Sequence, residues 1–347
     1  MSMRSSAGLK LSERLVRYTE LRPCLTAFID TRSPGSDQKE NFTIIGPGVA
    51  ENPDQHVHIK LPHGFNIGGA RQPPGCLNSQ HSHLTNEVFV VHSGTWAFRS
   101  GVDARDGEVI LTAGDVISLP TDVFRGFENV GDDAGYLFAV LGGDDPGRVL
   151  WAPQVFDLAR ECGLILMEDG SLVDTLAGQS APDGLLPMPR TRPQQVSEHR
   201  VVNSRALEGI VVRSRDFRWS KRTVLSGFAG VEEVALLGPE NDAESIPAGH
   251  LSWPHEFVLR ALRLAPGAVI PVHSRDEEEV VFIQQGSCRV AVDAESVDLA
   301  PGDTLTTPIG SGRAFTNPGS KPCIVYLTRR GDQPLAPDFH HPGANED

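Results

Sequence analysis

Hydrophobic and polar positions alternate along this chain in short runs such as Glu108–Thr112, Asp115–Pro120 and Tyr136–Leu141, with glycine, proline and asparagine between them. Alternation with a period of two over such lengths predicts β-strands, and the 35 glycines and 26 prolines that cut the runs predict tight turns. The fold class expected is mainly all-β. One stretch departs from the period: Gln154–Cys162 carries its apolar residues at helical spacing and predicts a short helix packed on the strands. From about Ala177 to Arg200 the pattern gives way to proline, glycine and polar residues, as in a linker.

The runs also repeat. Gly46-Pro47 recurs as Gly238-Pro239, His58 as His250, Pro62-His63 as Pro254-His255, Gly75 as Gly267, His81 as His273, Glu87 as Glu279 and Gly94 as Gly286, each pair 192 apart. Beyond a turn four residues shorter in the second copy, the offset is 188: Gly114-Asp115 matches Gly302-Asp303, Pro120 matches Pro308, Arg125 matches Arg313 and Asn129 matches Asn317. This ordered series predicts two copies of one β-domain. The expected boundaries are 1–153 for the first copy, 154–200 for the helix and linker, 201–332 for the second copy and 333–347 for a surface tail.

Charge and composition narrow the partners. A net charge of -14 and a pI near 5.3 leave no basic face for nucleic acid. No apolar run approaches the roughly 20 residues of a membrane span, and the N-terminus lacks the apolar centre of a signal peptide, which predicts a cytoplasmic protein. The cysteines (Cys24, Cys76, Cys162, Cys288 and Cys323) lack metal or redox spacing and read as reduced thiols. Glycine spacing for a phosphate or dinucleotide loop is absent, so no nucleotide cofactor is expected.

The candidate chemistry sits in the first copy. His81 and His83 are two apart, so on a strand both imidazoles leave the same face. Glu87 would lie about 20 Å from His81 on a straight strand, whereas the ligands of one metal lie only about 2 Å from it. The chain is therefore expected to reverse at Leu84–Asn86 and return along Val88–His92.

Gly75-x5-His81-x-His83-x3-Glu87-x6-Gly94 resembles the first motif of the cupin superfamily. Gly114-x5-Pro120-x-Asp122-x2-Arg125-x3-Asn129 resembles the second, with Asp122 in place of a glycine and Arg125 in place of a histidine. With Gly267–Gly286 and Gly302–Asn317 the resemblance is to a bicupin, and it implies two tandem antiparallel jelly-roll barrels. In length and duplication the chain is similar to ring-cleaving bicupin dioxygenases such as the gentisate enzymes.

Arginine has no lone pair for a metal, so the usual fourth cupin ligand is missing. His81, His83 and Glu87 remain as a metal set with open positions, suited to Fe(II) and also acceptable to manganese, nickel or zinc. Arg125 either grips a substrate carboxylate or pairs with Glu87. The function expected is a mononuclear non-haem iron dioxygenase acting on a small carboxylate-bearing molecule. The alternatives are a metal-assisted isomerase, epimerase or lyase with His58 or His63 as base, and a non-catalytic protein that binds a small anion. His58 is also a candidate fourth ligand.

In the second copy, His273, Arg275, Glu279 and Arg313 predict no metal but an ion-pair network around Glu279, with Glu277 at hand, or an anion pocket at the two arginines. Phe89 shares the parity of Glu87 and is the best aromatic candidate for a pocket wall, ahead of Trp96, Phe98, Phe124 and Phe127; His92 should point away. Asp115 and Asp303 are read as turn residues. Barrel edges offer a route to a homo-oligomer, and the sequence leaves the assembly open.

Overall fold

A computed structural model describes residues 10–339, so His340, His341 and the rest of the expected tail beyond Phe339 lie outside the described residues. It divides into two compact units: Arg22–Ser214, and the residues up to Leu21 joined with those from Arg215 onward.

The first unit is a jelly roll of two layers, antiparallel except where Val57–Ile59 pairs parallel with Glu40–Ile45. Its larger sheet orders the strands Val211–Val212, Val116–Leu119, Glu87–Ser93, Gly135–Gly142, Phe65–Gln72, Glu40–Ile45 and Val57–Ile59. The smaller sheet orders Leu150–Trp151, Leu77–Ser82, Arg125–Asn129, Thr95–Ser100 and Gly107–Thr112. Gly135–Gly142 is buried along its whole length because it lies between two other strands, and its Leu137 packs in one core cluster with Phe89, Trp96, Phe98 and Phe127. Burying side chains of this size contributes about 1.5–3 kcal/mol each, which makes the interlayer space the main source of stability. The helix expected after the first copy is present as Pro153–Glu161, opened by a proline at its first turn and buried through Val155, Phe156 and Ala159.

The second unit repeats the plan. Leu15–Val16, Thr304–Thr307, Glu279–Gln285, Cys323–Arg330, Phe257–Leu264 and Val231–Leu237 form one sheet; Glu295–Leu299, Cys288–Val292, Arg313–Thr316, Val269–Ser274 and Asp338–Phe339 form the other.

Three features differ from the boundaries read off the sequence. Leu15 and Val16 pair with Leu305 and Thr304 of the second copy, while Val211 and Val212 pair with Ile117 and Val116 of the first. Each unit thus takes an edge strand from the segment leading into the other copy. The anchor is the same aspartate twice. Asp303 accepts from Arg17 Nη1 at 2.6 Å and from the Tyr18 amide at 3.0 Å, and Asp115 accepts from Arg213 Nη1 at 3.1 Å and from the Ser214 amide at 2.9 Å. These two residues also close the turns expected of them, through the amides of Ala300 and Thr112. The third difference is the tail: Asp338 and Phe339 pair with Ser274 and His273 and add a short edge strand to the sheet.

Motif positions that carry no chemistry set these turns. Asp122, in place of the motif glycine, has φ 55°, a left-handed conformation that aspartate tolerates better than most residues, and its counterpart Gly310 has φ 74°. Asn129 donates to the carbonyls of Gln72 and Asp133 at 2.8 Å and accepts from the Gly131 amide, and Asn317 makes the equivalent bonds to Leu264, Lys321 and Gly319.

Candidate metal centre

The expected reversal at Leu84–Asn86 is present, between the strands Leu77–Ser82 and Glu87–Ser93. It brings one ligand atom each from His81, His83 and Glu87 within 4.8 Å of one another, all three residues being buried. Ligands held about 2.1 Å from a common ion stand roughly 3–3.5 Å apart, so the set is about 1 Å more open than a loaded site. The Oε2 of Glu87 already lies 3.6 Å from the Nε2 of His83.

The donors are in the right form. Nδ1 of His81 hydrogen-bonds the Ser79 carbonyl at 2.7 Å, which fixes its proton there and leaves the Nε2 lone pair free. Burial, reinforced by the Arg125 charge, holds both imidazoles well below the usual histidine range, so they are neutral at physiological pH. Nδ1 of His83 is buried and has no hydrogen-bond partner among the described residues. Burial raises the Glu87 carboxyl, and Arg125 offsets part of that rise. Two neutral imidazoles and one carboxylate in a buried corner fit a divalent ion of the Fe(II), Mn, Ni or Zn type.

Arg125 donates from Nη2 to Glu87 Oε2 at 3.0 Å and reaches the carbonyls of His81 and Val123 at 3.4 and 3.5 Å. It is fully buried, and its side chain is not part of the adjoining cavity wall. Of the two roles open to it, the pairing with Glu87 is the one the geometry contains.

That cavity opens beside the three ligands and measures about 80 Å³, where one water needs roughly 10–15 Å³ by the same measure. Its apolar wall includes Phe89, Phe127, Leu141, Val149 and Trp151. Trp96 and Phe98 belong instead to the core, Phe124 packs on His199 with ring centroids 4.4 Å apart, and His92 faces Tyr136. His58 and His63 are also absent from the wall. His58 accepts from the Arg22 amide at 3.2 Å and Nδ1 of His63 bonds the Leu61 carbonyl at 2.8 Å, contacts repeated by His250 with Arg218 and by His255 with Trp253. Their recurrence reflects a shared structural duty.

Trp151 was not singled out by the sequence. Its ring lies 5.4 Å from that of His81, and Phe339 lies 5.4 Å from His273 in the second unit. The two aromatics are 188 apart, so the repeat itself carried the signal.

In the second unit the equivalent corner is filled with charge. Arg275, Arg313 and Arg329 surround Glu279 at 3.5, 3.6 and 3.8 Å. Arg275 and Arg329 also bind Glu244 at 2.5 and 2.7 Å, while Glu277 pairs with Arg329 at 3.1 Å. Burial raises the Glu279 carboxyl, but the three arginines outweigh it and hold it below the usual range. Three guanidiniums around one carboxylate repel a dication. His273 is caught in this corner, where burial lowers it to about 4 although Glu279 pulls the other way. Between that value and the unfolded value near 6.5, the unfolded chain binds a proton that the folded one does not. Its contribution to stability is complete above about pH 6.5 and is lost as the pH falls toward 4, by roughly 3 kcal/mol. Urea midpoints at pH 7 and pH 4.5 should show a smaller acid loss in His273→Gln than in wild type; equal losses would refute the assignment.

The comparisons agree with this geometry. Residues 70–141 and 261–328 each match the cupin domain family. No protein of curated function matches in sequence. The fold resembles the oxalate decarboxylase of Lactobacillus farciminis in its formate complex, with a TM-score of 0.55 and 12% identity over 96% of this chain and 90% of that one. The oxalate decarboxylase of Bacillus subtilis at pH 4.6 gives 0.53 and 12% over 98% and 79%. Two matches to one domain family, on two jelly rolls built to one plan, place the chain in the cupin superfamily as a bicupin.

Proposed function

We propose that the chain is a metal-dependent enzyme with one working centre, in the first barrel, where His81, His83 and Glu87 hold a single divalent ion, Fe(II) by preference. The observation that carries this reading is the meeting of those three residues in one buried corner of an apolar cavity. Bound there, such an ion would supply Lewis-acid or redox chemistry toward a small substrate and O2. The residues of the chain do the remainder. Phe89, Phe127 and Trp151 exclude water, Ser79 orients His81, and Arg125 favours the charged form of Glu87 and fixes its direction.

Oxygen-dependent cleavage of a small organic molecule, a dioxygenase reaction, suits this arrangement best. The titratable side chains among the described residues of the cavity wall are Cys24, His81, His83 and Glu87. The bases expected for an isomerase or lyase, His58 and His63, stand elsewhere, which leaves Cys24 as the titratable group of the wall outside the candidate ligands. A substrate carboxylate would also find no arginine or lysine among the described residues of that wall, so the anion grip expected of Arg125 is not part of the proposal.

Loading the purified protein with Fe(II) under nitrogen should give one ion per chain, and oxygen uptake with a panel of small phenols and diketones should follow metal content. Occupancy under one tenth would overturn the metal site. Turnover that proceeds without oxygen would overturn the dioxygenase reading and leave the site standing.

A further inference from the structure

The two barrels share one register, so they can be compared position by position. Gly68 pairs with Thr43 and Ala139, and Arg260 pairs with Ala235 and Leu327 at the same places in the second barrel. By the same register Ala70 corresponds to Leu262, Ala139 to Leu327, Leu141 to Arg329 and Asn41 to Glu233. In the first barrel these five positions line the cavity. In the second they carry larger or charged groups, all buried, and Arg260 donates to the Leu237 carbonyl at 2.8 Å across the space that Gly68 leaves open. The cavity therefore exists because specific side chains are small.

What the cavity offers a ligand is equally specific. Its volume corresponds to about six waters, enough for a compact ring-sized molecule. No lysine or arginine is among its described lining residues. Most of its polar groups are already engaged: Asn66 with Gly48 and Gly143, Gln55 with Pro47 and Thr43, and Asn78 with Lys39. Outside the candidate metal ligands Asn41 is the exception, for its Nδ2 is buried and has no hydrogen-bond partner among the described residues. It lies opposite Ala70, whereas Glu87 lies opposite Leu141, which itself lies opposite Asn66. Four residues along that strand separate the two levels, about 13 Å. A donor without a partner thus faces the cavity at the end away from the candidate ligands.

We propose that this cavity selects a small molecule with an uncharged apolar body and a hydrogen-bond acceptor at the end remote from Glu87, that Asn41 reads the acceptor, and that Gly68, Ala70 and Ala139 set the size of the body. The proposal rests on the first barrel being the working site. It assigns Asn41 to specificity; the metal ligands are untouched by it.

Titration calorimetry on the full chain, metal-free and zinc-loaded, with acetophenone, ethylbenzene and oxalate tests it. Acetophenone has the body and the acceptor, ethylbenzene the body alone, and oxalate neither an apolar body nor neutrality. Metal-free wild type should bind one acetophenone per chain, ethylbenzene about tenfold more weakly for want of one hydrogen bond, and no oxalate. Asn41→Leu should erase the tenfold difference. Ala70→Leu, which installs the residue the second barrel already accommodates, should abolish binding of both aromatic probes while zinc stoichiometry stays at the wild-type value. No acetophenone binding at millimolar concentration, oxalate binding by the metal-free protein, or a preference for acetophenone that survives in Asn41→Leu would overturn the inference. Should either variant fail to fold, the three probes on wild type still decide it. Acetophenone binding in a protein that takes up no metal would support this inference and overturn the proposed metal site, so the two failures are separable.

Discussion

Replacing His81 by alanine should reduce bound metal from one ion per chain to below one tenth after loading and desalting, with metal affinity weaker by more than about 100-fold. Loss of an outer partner of a metal ligand typically costs 10–100-fold, and His81 would be a ligand itself. The interpretation needs a control, because His81 is buried, bonded to Ser79 and packed on Trp151, so its removal also costs stability. The chain contains that control. His273 is buried in the same way, with Nδ1 on the Pro271 carbonyl at 2.9 Å and its ring against Phe339. His273→Ala should lower the urea midpoint by a similar amount and leave metal content at one per chain. If both variants lost metal equally, the loss would reflect damaged packing, and the assignment of His81 as a ligand would fail.

The site was legible in the sequence because its constraints are local. Two histidines two apart must share a face, and a carboxylate four residues on can join them only through a turn. The repeat was legible for a different reason: glycines at 75, 94 and 114, all with positive φ, mark turns that both copies need. Gly94 shows how tight this is, since a Cβ there would stand 2.8 Å from the Cα of Gly135. The exchanged edge strands were not legible, because a two-residue strand such as Leu15–Val16 has no measurable period. A trace did exist, for Leu11 and Arg17 recur as Leu207 and Arg213 at an offset of 196, beyond the linker. Least legible was the contrast between an open and a filled barrel. It depends on Gly68 against Arg260, and on Glu244 and Arg329 reaching Glu279 and Arg275 from strands and turns distant in sequence.

Arg125 should behave as a cation standing near a place built for another cation, and Arg125→Met separates its two effects. In the metal-free protein Glu87 is fully buried and Arg125 is its charged partner. Removing the guanidinium leaves either an unpaired buried carboxylate or a protonated one, and breaking a buried pair in this way costs about 3–5 kcal/mol. The metal-free variant should therefore unfold at a clearly lower urea concentration than metal-free wild type. Metal reverses the comparison. A dication on His81, His83 and Glu87 would repel a guanidinium that shares the Oε2 of Glu87, so its removal should tighten metal binding and allow the ion to neutralise the carboxylate in its place. The stability lost without metal should be regained on loading, and the pKa of both imidazoles, now held down by burial and Arg125 together, should rise in the metal-free variant. Urea denaturation with and without zinc, joined to proton NMR titration of the histidines, reads both effects. If Arg125→Met were as stable as wild type without metal, Glu87 would not depend on Arg125; if metal then bound no more tightly, the guanidinium would not be acting as a competing charge.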